Sequence, residues 1–342
     1  MTISYRTRKR LTTWGIAALI VAGICTVVWI CWLIWVSRYM VFHRDGPRLD
    51  FSLSPTLPAG TVAQMPQKTG SVKVVYNEPT IEGPNVEVVA TSIHGYYIDI
   101  EDLKTDIPQV IEQLKKLDKG TAVLLDVKDT RGYFYYTTKI SEKHPQDIDI
   151  AAMDQLMNYL LGSDLYLIAR LPALRDYDFG LNNVPCGLPK KGAGGSLWPD
   201  DTGCYWLDPT KEGTLDYLVQ QAMELRLMGF DEVVFTDFRF PKTDKIVFDG
   251  DKDQAIADAA KTLVQKLTTD SFFVSFQSED VAFPLPEGNS RLYLSDIPAA
   301  EIPTVLEQVV TADPKLHLLF LTTVNDTRFN EYCVLRPLDN AY

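Results

Sequence analysis

From residue 85 onward, short apolar runs alternate with amphipathic segments, and this alternation constrains the fold more than any other feature of the chain. Such a pattern is typical of parallel strands joined by crossover helices. The sequence predicts strands at residues 93–98, 121–127, 165–171, 232–237, 272–276, 291–294, 316–322 and 332–335. Because eight strands close a (β/α)8, or TIM, barrel, we expect an α/β fold of that class.

Helical spacing of apolar residues predicts helices at 107–117, 150–161, 214–228, 254–267 and 299–310. Gly162 and Gly229 stand just past two of these segments, where helices commonly end. The connections 277–290 and 324–331 are too short or too proline-rich for a regular helix, so the barrel is expected to be irregular. An open, doubly wound sheet is the alternative, although no glycine-rich phosphate loop follows the first strand.

Residues 14–36 contain no charged side chain over 23 positions, enough to cross about 30 Å of hydrocarbon as a helix. More basic residues precede this segment than follow it closely, so the positive-inside rule predicts a cytoplasmic N-terminus. They are Arg6, Arg8, Lys9 and Arg10 before it, and Arg38 and Arg44 after it. We therefore expect a single-pass protein of the cell membrane with a cytoplasmic tail (1–13) and a transmembrane anchor (14–36). A cleaved signal peptide is the alternative, although its apolar region is usually shorter.

Prolines without apolar periodicity predict an extracytoplasmic linker at 37–84, followed by the barrel domain at 85–342. After residue 44 the chain carries 27 basic and 45 acidic side chains, a formal charge of −18. That charge argues against binding nucleic acid or an anionic membrane surface through a basic patch. The expected contact with the membrane is the N-terminal helix alone.

Charged side chains follow several of the predicted strands. Residues 229–241 read Gly-Phe-Asp-Glu-Val-Val-Phe-Thr-Asp-Phe-Arg-Phe-Pro, an apolar run closed by Asp237 and Arg239. Asp126, Asp129, Arg170 and Asp208 also lie at or just after predicted strand ends. In a barrel these ends share the face where active sites lie. Alternatively, Asp126, Arg170 and Arg239 form an ion-pair network that joins the strand ends.

These segments resemble the glycosidase-like barrels of bacterial extracytoplasmic proteins, a family long described as a domain of unknown function. There a helix ends in Gly-Phe-Asp-Glu, and the next strand ends in Phe-Asp-Tyr-x-Arg-Phe-Pro; this chain has Thr236 where the family has Asp. Residues 125–132 are similar to the family's Ile-Asp-Val-Lys-Asp-x-x-Gly, 169–176 to Ala-Arg-x-x-x-Phe-x-Asp and 206–209 to Trp-x-Asp-Pro. The resemblance covers roughly residues 88–242.

The resemblance implies glycoside hydrolysis, which needs two carboxyl groups. Comparison with amylase-type barrels places the nucleophile at Thr236, so we expect Asp237 to take that role if a bulge re-aims its side chain. The expected partner acid is Asp126 or Glu279; the alternative for Glu279 is a solvated loop acid without a catalytic role. The expected substrate-binding residues are Asp129, Arg170, Asp208, Arg239 and Trp206. For Trp206, packing of its loop onto the barrel is the alternative.

The long connection 172–209 contains Cys186 and Cys204, and an oxidising exterior favours a disulfide between them. We expect neither cofactor nor metal, since the four histidines show no ligand spacing. Asp249, Asp251 and Asp253 lack the later ligands of a calcium loop. We expect that acidic triplet to cap the helix beginning near residue 254.

Together these features predict a membrane-anchored, extracytoplasmic glycoside hydrolase-like protein that acts on an envelope or extracellular polysaccharide. The alternative is a catalytically inactive barrel that binds glycan or a protein partner at the cell surface. Thr236 favours the inactive barrel, and the clustered aspartates and arginines favour the enzyme.

Overall fold

A computed structural model describes residues 40–43, 46–49, 93–268, 271–309, 311 and 313–341. The chain divides into two units, residues 1–79 and 80–342. In the first unit, strands Met40–His43 and Gly46–Leu49 pair as an antiparallel hairpin. The predicted start of the barrel domain, residue 85, lies outside the described residues.

Eight parallel strands of the second unit close into a barrel. They are β1 (His94–Tyr97), β2 (Ala122–Asp126), β3 (Tyr166–Pro172), β4 (Glu232–Thr236), β5 (Phe273–Gln277), β6 (Leu292–Ser295), β7 (Leu318–Leu321) and β8 (Cys333–Pro337). Neighbours in the barrel follow chain order, and β1 pairs with both β2 and β8. The predicted barrel is confirmed, and its closure rules out the open, doubly wound sheet.

Helices occupy most connections between strands. They are α1 (Ile100–Thr105), α2 (Ile107–Leu114), α3 (Ile150–Leu161), α4 (Tyr177–Asn182), α5 (Glu212–Met228), α6 (Lys252–Leu267), α7 (Ile302–Gln308) and α8 (Pro314–His317). Short 3-10 helices lie at Val184–Cys186, Thr327–Glu331 and Leu338–Ala341. The five predicted helices correspond to α2, α3, α5, α6 and α7.

Two local signals act at helix ends as the sequence predicts. Gly229 follows α5 with a φ of +118°, a left-handed conformation that ends the helix. At the start of α6, the Asp251 carboxylate accepts hydrogen bonds from the backbone N–H groups of Asp253 and Gln254. Of the acidic triplet, Asp251 is therefore the capping residue.

The barrel is irregular late in the chain, as expected. The connection between β5 and β6 is described throughout and contains no helix. Between β7 and β8 there is only the 3-10 helix Thr327–Glu331. Because β5 and β6 pair in parallel, their ends lie close together on the C-terminal face.

Alternate side chains of each strand point into the barrel. Near the N-terminal ends of the strands, the interior is closed by a buried ion pair between Glu232 of β4 and Arg291. Glu232 also accepts hydrogen bonds from Ser275 Oγ (2.5 Å), Tyr293 OH (2.9 Å) and Tyr166 OH (3.0 Å). A buried charge needs such partners. With this end filled, the open end of the barrel is the C-terminal one.

Among the described residues, no helix is long and apolar enough to cross a membrane. The predicted anchor at 14–36 and the predicted tail at 1–13 lie outside those residues. Most of the predicted linker, residues 37–84, also lies outside the described residues.

Candidate active site

At the end of β4 the backbone takes a conformation that is rare for residues other than glycine. Thr236 is the last residue of β4, and Asp237 follows it with a φ of +51°. A Cβ atom is crowded in this left-handed region, so the conformation stores strain. The turn ends the strand's alternation, and Thr236 and Asp237 line the same cavity. Asp237 thus reaches the face on which Thr236 lies.

This cavity, of about 350 Å³, lies at the C-terminal ends of β4, β5 and β6. Three carboxylates line it: Asp237 after β4, Glu279 after β5 and Asp296 after β6. Asp296 also has a positive φ, +57°, and in the described part of the chain only these two aspartates combine a side chain with that conformation. Strained residues concentrate at functional sites. We therefore take this cavity as the candidate active site.

Asp296 is a site residue that the sequence analysis did not single out. It lies two residues after the end of the predicted strand 291–294 and directly after β6, as Asp237 directly follows β4. That position, an acid immediately after a barrel strand, is the signal that could have found it.

The Asp237 carboxyl is half-buried among charged groups. Burial raises the pKa of Asp237, while the positive charges of Arg175 and Arg239 oppose the shift and the carboxylates of Asp200 and Glu279 add to it. A carboxyl group with a raised pKa retains its proton at a higher pH. The direction of this pKa shift suits a general acid, whereas the comparison with amylase-type barrels places a nucleophile at the end of this strand.

Glu279 has the opposite environment. Its side chain is exposed, and its Oε2 atom lies 3.0 Å from Nζ of Lys242. The hydrogen bond from Lys242 lowers the pKa of Glu279. The cavity thus contains one carboxyl that favours the protonated form and another that favours the ionised form. Opposed shifts of this kind separate acid from base in hydrolases.

Asp126 is not among the residues that line the cavity. Arg170 Nε donates a hydrogen bond to its Oδ1 (2.6 Å), and Arg170 Nη2 donates to its Oδ2 (2.8 Å). Arg170 Nη1 also donates to Gln277 Oε1 (3.4 Å), and Gln277 Nε2 donates to Ser295 Oγ (3.0 Å). The series crosses the barrel mouth from β2 to β6. Asp126 and Arg170 thus form an ion pair that joins strand ends, as the alternative interpretation of these residues predicts. Arg239 is not part of this pair.

Asp129 and Asp208 stabilise loops. Asp129 Oδ1 accepts hydrogen bonds from the backbone N–H groups of Arg131 and Tyr133, both at 2.9 Å. Asp208 Oδ1 accepts from the backbone N–H (2.9 Å) and the hydroxyl (2.7 Å) of Thr210. Neither aspartate lines the 350 Å³ cavity. The structure places both outside the candidate site.

Trp206 lies beneath two arginines rather than open to solvent. It is only 4% exposed, and its indole Nε1 donates a hydrogen bond to Asp200 Oδ2 (3.2 Å). The guanidinium carbons of Arg175 and Arg239 lie 5.9 and 5.1 Å from its ring centroid. Arg239 itself lines the cavity. Trp206 is thus a support for these arginines and has no free face on which a sugar ring could stack.

A larger groove, of about 890 Å³, continues from the cavity. The two share Phe238, Arg239, Ser278 and Glu279. From there the groove passes along the start of α6 and residues 282–284. Cavity and groove together form an extended depression on the C-terminal face.

The predicted disulfide is not formed, because Cys186 and Cys204 are free thiols. Gly187 pairs antiparallel with Leu207, and the Asp208 N–H donates to the Cys186 carbonyl. Cys186 therefore lies opposite position 208, four residues from Cys204. Four extended residues span about 13 Å, whereas a disulfide needs Cα atoms roughly 4.4–6.8 Å apart. The prediction from the loop's composition was wrong because it did not include the pairing register.

Within the described residues, no group of three or more His, Cys, Asp or Glu side chains could hold a metal ion. The cavity lining contains three carboxylates, Arg239, neutral polar side chains and Phe238.

Residues 95–278 match a family described as "putative glycosyl hydrolase domain". The chain belongs to this family. The match covers more than half of the chain and includes β1 to β5 with their loops. No curated protein matches the chain.

Solved structures similar to this glycosyl hydrolase-family chain have low identity. A hypothetical protein from Ruminiclostridium thermocellum is 20% identical with a TM-score of 0.45, over 53% of this chain and 96% of that one. The glycoside hydrolase domain of PelA from Pseudomonas aeruginosa is 14% identical with a TM-score of 0.41, over 72% of this chain and 96% of that one. Alpha-L-fucosidase isoenzyme 2 from Paenibacillus thiaminolyticus is 15% identical with a TM-score of 0.47, over 68% of this chain and 40% of that one.

Two family motifs meet in a buried ion pair that the sequence analysis did not identify. Lys128, from the motif after β2, has its Nζ atom 2.5 Å from Oδ2 of Asp176, from the motif after β3. Both side chains are fully buried, and the Tyr217 hydroxyl donates a hydrogen bond to the same carboxylate (3.0 Å). Part of the family signature therefore maintains the loops of the active-site face.

Proposed function

We propose that this domain hydrolyses glycosidic bonds, with Asp237 as the general acid. The observation that carries the proposal is the cavity at the ends of β4, β5 and β6, where the half-buried Asp237 shares a surface with two further acids. Membership of the glycosyl hydrolase family supports the reaction class.

In the proposed reaction, protonated Asp237 donates its proton to the leaving oxygen while the bond from that oxygen to the anomeric carbon breaks. Water supplies the new oxygen at the anomeric carbon, and its proton passes to an ionised carboxylate, Glu279 or Asp296. Burial, which raises the pKa of Asp237, supports the acid role. Asp126 is a poorer partner, because both of its carboxylate oxygens are engaged by Arg170.

We infer that the substrate is a polymer of the envelope or the extracellular space. The groove of about 890 Å³ continues from the cavity and supports a substrate that extends beyond the cleaved bond. The apolar segment at residues 14–36 supports an anchor in the cell membrane with the barrel outside.

A catalytically inactive, glycan-binding barrel is the second candidate. It is favoured by Thr236, which lines the cavity from the end of β4, where the family motif has Asp. A hydroxyl cannot act as the carboxylate that hydrolysis needs. In this case the protein binds polysaccharide without cleaving it.

The two functions are separated by comparing the wild type with Asp237→Asn on soluble neutral, acidic and amino-sugar polysaccharides, with new reducing ends measured. We expect wild-type cleavage, and a loss of about 10²–10⁴-fold in the variant with binding retained, since an amide cannot donate the proton. Asp118→Asn is the matched control, because Asp118 is an exposed acid that lines neither the groove nor the cavity.

If neither protein cleaves and both bind, the inactive barrel is the correct function. Cleavage by Asp237→Asn at the wild-type rate would contradict the assignment of Asp237.

A further inference from the structure

The loop between β3 and α5 contains an aspartate whose two oxygens have different partners. Asp200 Oδ1 accepts hydrogen bonds from Thr202 N–H (2.9 Å), Thr202 Oγ1 (2.8 Å) and Cys204 N–H (2.9 Å), which form a local turn. Asp200 Oδ2 accepts from Arg175 Nε (2.7 Å) and from Trp206 Nε1 (3.2 Å). One carboxylate thus joins a loop turn to an arginine and a tryptophan.

These contacts hold Arg175 from three directions. Asp200 binds its Nε atom, Thr202 Oγ1 accepts a hydrogen bond from its Nη2 (2.8 Å), and its guanidinium carbon lies 5.9 Å from the Trp206 ring centroid. A guanidinium engaged along its edge and near a ring has little freedom to reorient. Its charge therefore stays in one place beside Trp206, whose ring also lies 5.1 Å from the guanidinium carbon of Arg239, a residue that lines the active-site cavity.

We propose that Asp200 is a positioning residue, which holds Arg175 where its positive charge acts on the Asp237 carboxyl. Trp206 belongs to the same arrangement, since it lies beside Arg175 and also beside Arg239, the second cation near Asp237. Calling Asp237 catalytic rests on the proposed function. The electrostatic link between Asp200 and Asp237 does not, and it can be measured without substrate.

Charged side chains from several loops act on Asp237. Arg175 and Arg239 lower the pKa of Asp237, and Asp200 and Glu279 raise it; Asp296 lines the same cavity. Asp200 therefore has two opposing influences: its own negative charge raises the pKa of Asp237, and its hold on Arg175 lowers it. Of these two cations and two anions, Arg175 has the largest influence.

The opposing signs make Asp200→Asn a sharp test. Asparagine has one acceptor oxygen, and the turn, with three donors, engages that oxygen more strongly than the two donors on the other side. The amide NH₂ then faces Arg175 Nε and Trp206 Nε1, which are also donors, so Arg175 is released while the turn survives. If positioning dominates, the pKa of Asp237 rises. If Asp200 acts only through its own charge, that pKa falls.

The measurement is a pH titration of the carboxyl ¹³C chemical shifts of the full chain labelled at aspartate. The Asp237 signal is assigned as the one that is missing from the spectrum of Asp237→Asn. We expect an upward shift for Asp200→Asn and for Arg175→Gln. In the Arg175→Gln background, Asp200→Asn should no longer raise the pKa of Asp237, because no guanidinium is left to hold. A downward shift in the single variant, or an equal upward shift in both backgrounds, would overturn the proposal.

Asp326→Asn is the matched control. Like Asp200, Asp326 accepts a hydrogen bond from the backbone N–H two residues later and pairs with an arginine, here Arg328 (2.7 Å). The hydrogen bonds from Arg328 lower the pKa of Asp326 to about 2. It does not line the active-site cavity, so its replacement should leave the titration of Asp237 unchanged. Failure of the proposed function appears separately, as absence of cleavage by the wild type.

Discussion

At the scale of single residues, the candidate site is marked by backbone strain more clearly than by side-chain type. Asp237 and Asp296 have φ values of +51° and +57° and line the same cavity. Such conformations persist only where the surrounding fold enforces them. The strain brings a carboxyl to the barrel mouth at a place where regular strand geometry would turn it away.

This strain predicts that Asp237→Gly is more stable than Asp237→Ala. Both variants remove the carboxyl, but glycine adopts a positive φ without a Cβ penalty, which for alanine is about 1 kcal/mol. The free energy of unfolding from denaturant titration measures the difference. Equal stability of the two variants would show that position 237 is not strained. Both should lose cleavage activity, because neither variant has a carboxyl group that can donate the proton.

At the scale of elements, the loops of the active-site face are joined to the barrel by buried charge. Lys128 follows β2, and Asp176 caps the start of α4 through a hydrogen bond from Phe179 N–H. The Lys128 ammonium also lies 4.9 Å from the Tyr217 ring centroid on α5. The ion pair thus connects β2 with the two helices that follow β3.

We expect Lys128→Met to lower the free energy of unfolding by about 3–5 kcal/mol, since it leaves the Asp176 carboxylate buried without its cation. Lys119→Met is the control, because Lys119 pairs with Asp164 on the exposed surface. That variant should show no measurable loss in its free energy of unfolding, as is usual when an exposed ion pair is removed. Comparable unfolding curves for the two variants would mean that the ion pair between Lys128 and Asp176 does not stabilise the folded protein.

At the scale of the whole molecule, the sequence divides into an N-terminal part without acids and a strongly acidic remainder. No residue before 45 is acidic, and the rest carries a formal charge of −18. We expect the apolar segment at 14–36, rather than any basic surface, to hold the protein at a membrane.

The corresponding prediction is that the full-length chain resists extraction from membranes by alkaline carbonate. Ile24→Arg, near the centre of the segment, should weaken its insertion by about 3 kcal/mol, whereas Ile24→Leu should behave as the wild type. Immunoblots of the pellet and the supernatant measure the outcome. Release of the full-length wild type into the supernatant would contradict the anchor.

The sequence by itself determined the fold class and the family. Eight apolar runs and their intervening helices carry period-2 and period-3.6 signals that local chemistry decides, so the strands lie where the pattern places them. The same holds for the Asp251 cap and the Gly229 helix end, which depend on a few neighbouring residues.

Only the tertiary structure decided how the site residues combine. Asp126 is the last residue of β2 and Asp237 directly follows β4. Arg170 engages Asp126, whereas the positive φ of Asp237 directs it to a cavity shared with Asp296. The register between Cys186 and position 208 likewise separates two cysteines that share one loop. Pairing register, burial and the distances between loops arise from contacts remote in sequence, and no local pattern encodes them.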